Sequence, residues 1–248
     1  MYDAVRSVLE GKESVEKIKN AIVYTEDYSE HMLTFIENHD EQRVASQYFA
    51  GNMMAGLAGM LISATIHKGP FMIYFGQEVG EGEEAEKGVS GLDGRTTIFD
   101  YWGVTQHQNW MNEGAFDGAR LNLFQRHLRE TYSNIIKIGT EYEVLQKGKT
   151  KFIEIKSENE KLKKSVISYL RYKDSQTLFI GANMSENDRG VVSFRIPEGD
   201  IFSKHGRVVF ADILNNKNDY EFDCDNSKDI EISLYMEPYA VFAFKIVV

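Results

Sequence analysis

The stretch Phe35-Ile-Glu-Asn-His-Asp-Glu-Gln-Arg43 puts two amides, an imidazole, three carboxylates and a guanidinium directly behind an apolar run. That run, His31 to Asn38, is short and β-rich, the pattern of a strand buried on both faces. Small residues and methionines follow, with glycines at 51, 56 and 59, and they predict a helix from about Arg43 to His67 that packs closely on a sheet. Gly69 to Glu78, GPFMIYFGQE, then opens a second apolar strand on Gly-Pro. Strand, helix and strand at this spacing form a βαβ unit, which requires a parallel sheet. The polar cluster at the first strand's end is either a solvated turn, for which Asn and Asp are common residues, or an active site.

Upstream, Val5, Val8, Leu9, Val15, Ile18, Ala21 and Ile22 recur at helical spacing, with Gly11 and Lys12 marking a break. Downstream, periodicity disappears from Val79 to about Gly118 while glycine recurs, and a loop of that length inside a domain is usually functional. Its acidic tract, Glu81 to Glu86, reads as a solvated loop. Helical spacing returns from Leu121 to Ile136 and is expected to end at Gly139. Beyond Thr140 short β-rich runs, from FIEIKS at 152 to AVFAFKIVV at 240, alternate with Asn, Asp, Gly, Ser and Lys clusters. Regular turns between short strands predict an antiparallel β-sandwich. Two parts are therefore expected, an α/β part over 1–140 and an all-β part over 141–248.

Composition narrows the function. The chain has 248 residues, 42% of them hydrophobic, which is ample for a buried core. A formal charge of −10 opposes binding to nucleic acid or to anionic lipid. Cys224 is alone, so no intrachain disulfide forms, and no Cys/His set has zinc spacing. The first residues alternate charged with apolar side chains and lack a signal-peptide h-region. Met53 to Ile66, the most apolar later segment, is shorter than the roughly 20 residues that span a bilayer. A soluble chain with no membrane and no nucleic-acid partner is expected, its compartment left open. Neither GxGxxG after a strand nor GxxxxGK[ST] is present to cradle a phosphate.

FIENHDEQR resembles the fourth conserved region of the α-amylase superfamily of glycoside hydrolases, where a strand ends in Asn-His-Asp with Arg shortly after. GPFMIYFGQEVGE is similar to the segment in which Gly-Pro opens the eighth barrel strand and runs into a Gly-Gln-Glu turn. Gly94-Arg95-Thr96-Thr97 resembles the Arg-containing segment beyond that strand, and Met236 to Lys245 the closing strand of the family's C-terminal β-domain. The resemblance implies that 1–140 is the last part of a (β/α)₈ TIM barrel, from about its sixth helix, and that 141–248 is the appended β-sandwich. In such barrels catalytic groups sit at the C-terminal ends of strands, where Asn38, His39 and Asp40 stand.

Retaining glycosidases use one carboxylate as nucleophile and another carboxyl as general acid. The resemblance implies that Asp40 is a third carboxylate, which favours the distorted, transition-state form of the sugar. By the same match His39 binds hydroxyls of that sugar. Asn38, Arg43 and Gln77 are further substrate-binding candidates, with Arg43 either anchoring a carboxylate or simply beginning the next helix. Tyr101, Trp102 and Trp110 offer rings that suit either stacking on a sugar or packing of the loop. The family's nucleophile and acid belong to strands upstream of anything this chain matches, so the chain alone is expected to be inactive. A full barrel takes about 250 residues. A C-terminal portion that self-associates, or that pairs with a complementary N-terminal barrel segment, is the expectation. Calcium, common in the family, binds mainly through upstream segments, so neither metal nor cofactor is assigned. The expected ligand is an α-glucan, and the alternatives are a non-catalytic carbohydrate-binding or interaction module and a related transglycosylase or isomerase.

Overall fold

A computed structural model describes residues 1–82, 93–96, 104–197, 206–215, 219–224 and 229–247. The chain opens with α1 (Tyr2–Leu9) and α2 (Glu16–Thr25), whose buried Val5, Val8, Leu9, Ile18 and Ile22 are the apolar positions of the helical pattern. Gly11 separates them with φ +69°, its N–H donating to Val8 O and that of Lys12 to Ser7 O. Those two bonds close the helix in the Schellman manner, for which a left-handed residue is needed.

The βαβ unit is present in reduced form. Thr34 and Phe71 make a single parallel bridge, with Thr34 N donating to Pro70 O (3.0 Å) and Met72 N to Thr34 O (2.8 Å). Beyond it the second run leaves extended pairing for a turn. Tyr74 N donates to the Gln77 side chain, and Gln77 N to Tyr74 O. The intervening helix α3 (Ala55–Thr65) starts later than the sequence pattern suggests. Gly51 takes φ +65° and the Asn52 side chain accepts from Met54 N, so 44–54 is spent in turns. Every residue of α3 is buried, as a helix apolar on all sides must be.

α4 (Thr105–Met111) leads to α5 (Leu123–Glu141), which begins with a reciprocal capping box between Asn122 and Gln125. α5 runs through Gly139 instead of stopping there. A Cβ on Gly139 would lie 2.7 Å from the Phe71 ring and 3.2 Å from Ala64 O, so this glycine serves a close approach and not a helix end.

After α6 (Glu143–Lys147) come β1 (Lys149–Phe152), β2 (Glu154–Lys156), α7 (Glu160–Ser165), β3 (Val166–Lys173), β4 (Gln176–Asn183), β5 (Gly190–Ile196), β6 (Gly206–Asp212), β7 (Tyr220–Cys224), β8 (Ile230–Met236) and β9 (Val241–Val247). They form a six-stranded sheet, β1-β3-β4-β9-β6-β7, and a three-stranded sheet, β2-β5-β8, antiparallel throughout. Each expected β-rich run contains a strand, while β7, and β1 up to Phe152, lie outside those runs. The six-stranded sheet is the middle layer of the molecule. On one face Val166, Leu170, Phe179, Phe210 and Phe244 meet Val192, Phe194 and Ile232 of the smaller sheet. On the other Ile167, Tyr169, Leu178, Ile180 and Ala243 share a core with α1, α3 and α5. β3 and β4 therefore alternate between two buried faces, which is why they read as continuous apolar runs.

Candidate functional site

At the end of the first extended run the chain turns sharply, and one side chain forms the turn. Asn38 Oδ1 accepts from Asp40 N (2.8 Å) and Glu41 N (3.0 Å). This Asx turn keeps residues 38–41 tight without a backbone ladder. It presents His39 and Asp40 outward, their side chains 58% and 78% exposed, with His39 Nε2 3.3 Å from Asp40 Oδ2.

The rest of the cluster points inward or sideways. Glu37 is buried and bridges the two ends of the turn, Oε1 accepting from Val44 N (2.7 Å) and Oε2 from Arg43 Nη1 (2.9 Å). Burial pushes the Glu37 carboxyl above its ordinary value, against the pull of Arg43 and of the Val44 N–H. Arg43, 0% exposed, also donates from Nη1 to Phe75 O (2.9 Å) and from Nε to Thr96 Oγ1 (2.6 Å). Its guanidinium carbon lies 4.2 Å from the centre of the Tyr74 ring, a cation–π contact, and its backbone N–H donates to Gly94 O (2.7 Å). One guanidinium thus ties the turn to both the 71–78 segment and the 93–96 segment.

On the flank, Glu41 accepts from Tyr2 OH (2.8 Å) and Arg6 Nη1 (3.2 Å), and Gln42 Oε1 accepts from Arg6 Nη1 (2.7 Å). The Tyr2 ring stacks on Phe35 at 5.4 Å. Arg95, held 2.5 Å from Asp93, is raised in pKa first by that hydrogen bond and further by Asp40 and Glu41. A cation therefore stands on the field of the exposed carboxylates.

Two of the expected sugar contacts, Arg43 and Gln77, lie buried among protein groups. Arg43 anchors a carboxylate, as one reading of the sequence held, but that carboxylate is the protein's own Glu37, and no face of the guanidinium is open to a ligand. Gln77 is buried, with Oε1 accepting from Tyr74 N (3.2 Å) and Nε2 donating to Tyr132 OH (3.0 Å). Its amide is consumed in joining the 71–78 segment to α5. Asn38 stands at the corner, with its amide oxygen engaged in the turn. Glu37, Tyr2 and Arg6 are not singled out by the sequence, and Arg95 enters there only within the Gly94–Thr97 resemblance. Glu37 lay inside the quoted cluster, but only the folded turn distinguishes it from Asp40.

Trp110 packs against protein groups: Arg129 lies 4.8 Å from the indole ring and Phe116 meets it edge-on at 5.7 Å. Tyr101, Trp102, Thr97 and the acidic tract from residue 83 lie outside the described residues. Among the described residues no group of three or more His, Cys, Asp or Glu is placed to hold a metal ion, and no helix is long and apolar enough to cross a membrane.

No family model matches the sequence, and no curated relative matches it. Solved structures do. A maltogenic α-amylase from Thermotoga neapolitana aligns at 18% identity with TM-score 0.59, over 96% of this chain and 48% of that one. The α-amylase of Geobacillus thermoleovorans, solved with acarbose, aligns at 15% identity with TM-score 0.63, over 100% of this chain and 46% of that one. AmyP, solved with maltotriose, gives 17% and 0.65, over 98% and 49% respectively. This chain spans about half the length of each of these three. At such identities the likeness is one of fold, and the fold is that of the C-terminal part of α-amylase-family structures: the end of the barrel with its β-domain behind it.

Proposed function

We propose that this chain is the C-terminal portion of an α-amylase-type glycoside hydrolase and that its Asn38-His39-Asp40 corner takes an α-glucan. One observation carries the reading. Of the polar groups in residues 37–43, Glu37 and Arg43 are buried in each other, Asn38, Glu41 and Gln42 are engaged by neighbours, and His39 and Asp40 stand out together. An exposed carboxylate beside an imidazole suits a sugar ring, since the carboxylate stabilises positive charge at the anomeric centre and both groups bond hydroxyls.

Asp40 acts in this reading as the carboxylate that stabilises the oxocarbenium-like transition state. The nucleophile and general acid come from outside this chain, so the chain alone binds without cleaving. The purified chain is expected to leave maltoheptaose and soluble starch intact while maltotriose perturbs its His39 and Asp40 resonances. In a hydrolase that contains this chain, Asp40→Asn should lower kcat about 10³-fold, the scale of several kcal/mol of transition-state stabilisation. Turnover of maltoheptaose by the chain alone would overturn the division of labour. A maltotriose titration in which neither residue responds would overturn the site.

A further inference from the structure

We propose that the buried Glu37–Arg43 pair is the positioning element for Asp40, an inference that rests on the reading of Asp40 given above. The ion pair that Asp40 makes is with His39 at 3.3 Å, and both side chains are exposed, so among the described residues no buried group holds its carboxylate directly. Its place is set by the turn that carries it. The far end of that turn closes back on Glu37 at its start, through Val44 N on one carboxylate oxygen and Arg43 Nη1 on the other. Arg43 then fixes the pair against two other segments, through Phe75 O and Thr96 Oγ1.

The side chains of the pair are 0% and 2% exposed, so water does not compete for these bonds. An ion pair so deeply buried contributes little net stability compared with apolar residues of similar volume. What it supplies is direction, because a planar fork bonded on two edges has one orientation. A pair kept only for stability would be replaceable, whereas a pair kept for Asp40 would not.

The test is maltotriose binding by the full chain, followed by NMR titration, with a double-mutant cycle against Asp40. Asp40→Asn is expected to weaken binding about tenfold, the loss of one charge-assisted contact. Glu37→Met with Arg43→Met should retain the far-UV spectrum and weaken binding by a similar factor, and adding it to Asp40→Asn should cost nothing more. Arg43→Lys should not restore binding, since an ammonium cannot reach Glu37 and Thr96 along fixed edges. Thr96→Val, which leaves the pair intact but frees Arg43 Nε, should give a smaller loss that again vanishes in the Asp40→Asn background, and it decides the matter if the double replacement does not fold. Wild-type affinity in a folded pair replacement, or a loss that adds to that of Asp40→Asn, overturns the positioning role. Wild-type affinity in Asp40→Asn itself overturns the sugar site, and the positioning role with it.

Discussion

Arg171 is the residue whose loss should cost this fold most. It lies on β3, on the face turned toward the helices, and is 1% exposed. Nη1 donates to Ile66 O and to Thr150 Oγ1 (3.1 Å), and Nη2 to Leu145 O (2.6 Å), Val144 O (3.3 Å) and Gly148 O (3.4 Å). Ile66 caps the C-terminus of α3, and Gly148 that of α6, so one cation faces the negative ends of two helices and holds them to the sheet. Charged hydrogen bonds contribute about 1.5–3 kcal/mol each, and the three closest together give roughly 5–9 kcal/mol. Against this, burial lowers the guanidinium pKa from 12.5 to about 10, which corresponds to a cost of about 3 kcal/mol at neutral pH. Arg171→Met recovers that cost and loses the bonds, for a net destabilisation of about 4 kcal/mol, a third or more of a typical domain's stability. Arg171→Lys should recover little, because a single ammonium cannot reach both helix ends. Urea unfolding followed by far-UV dichroism checks the figure, and the helical and sheet signals should separate in Arg171→Met as the two layers uncouple. A variant within about 1 kcal/mol of wild type, unfolding in one coincident transition, would refute the reasoning.

Acid should weaken the same region through His67, which is 4% exposed with Nε2 3.1 Å from Thr25 Oγ1, and whose pKa is lowered from 6.5 to about 4 by burial first, then by the N-terminal amine and Arg171. Above pH 6.5 both folded and unfolded states are neutral; between 6.5 and 4 only the unfolded chain takes the proton, so stability falls with pH by up to roughly 3 kcal/mol. Urea midpoints at pH 7.5 and 4.5 should drop further for wild type than for His67→Gln, and equal drops would exclude His67 as the cause. Gly139→Ala should lower Tm despite the gain in helix propensity of about 1 kcal/mol, because the new Cβ meets the Phe71 ring at 2.7 Å and overpacking costs about 1–3 kcal/mol. A more stable alanine variant would mean that Phe71 can move aside.

How much of this was legible depends on where direction is encoded. The paired helices at the N-terminus follow from apolar spacing, and the break follows from Gly11. The β-rich half reads strand by strand because buried alternation persists along each run. The helical segment from Arg43 was overextended because its apolar content continues through 44–54, whereas Gly51 and Asn52 redirect the backbone there. At ENHDEQR the residue types announce chemistry, yet a period of two stops carrying information where the strand stops. From Asn38 onward, side-chain direction is set by an amide bonded to two backbone N–H groups, and from Arg43 by a threonine 53 residues away in a glycine-rich segment with no period of its own.

The two fully buried arginines show where such direction is recoverable. Composition cannot pick them out among 28 basic residues. Arg171, however, stands in register with Ile167 and Tyr169 along β3, both facing the helix-side core, so alternation alone turns it inward. A cation directed into a core must find acceptors there, and the closing carbonyls of helices are the groups available. Arg43 has no such register, since it follows a turn. Its partner Glu37 has none either: it comes three residues after Thr34 and immediately after the buried Ile36, so alternation would put it on the face opposite to both, and only the turn brings it inside. A carboxylate confined there needs a cation, and the next one along the chain is Arg43. Arg171 was thus implied by register and the requirement for pairing, the Glu37–Arg43 pair only by the folded turn, and the exposed Asp40 only by its resemblance to known chemistry.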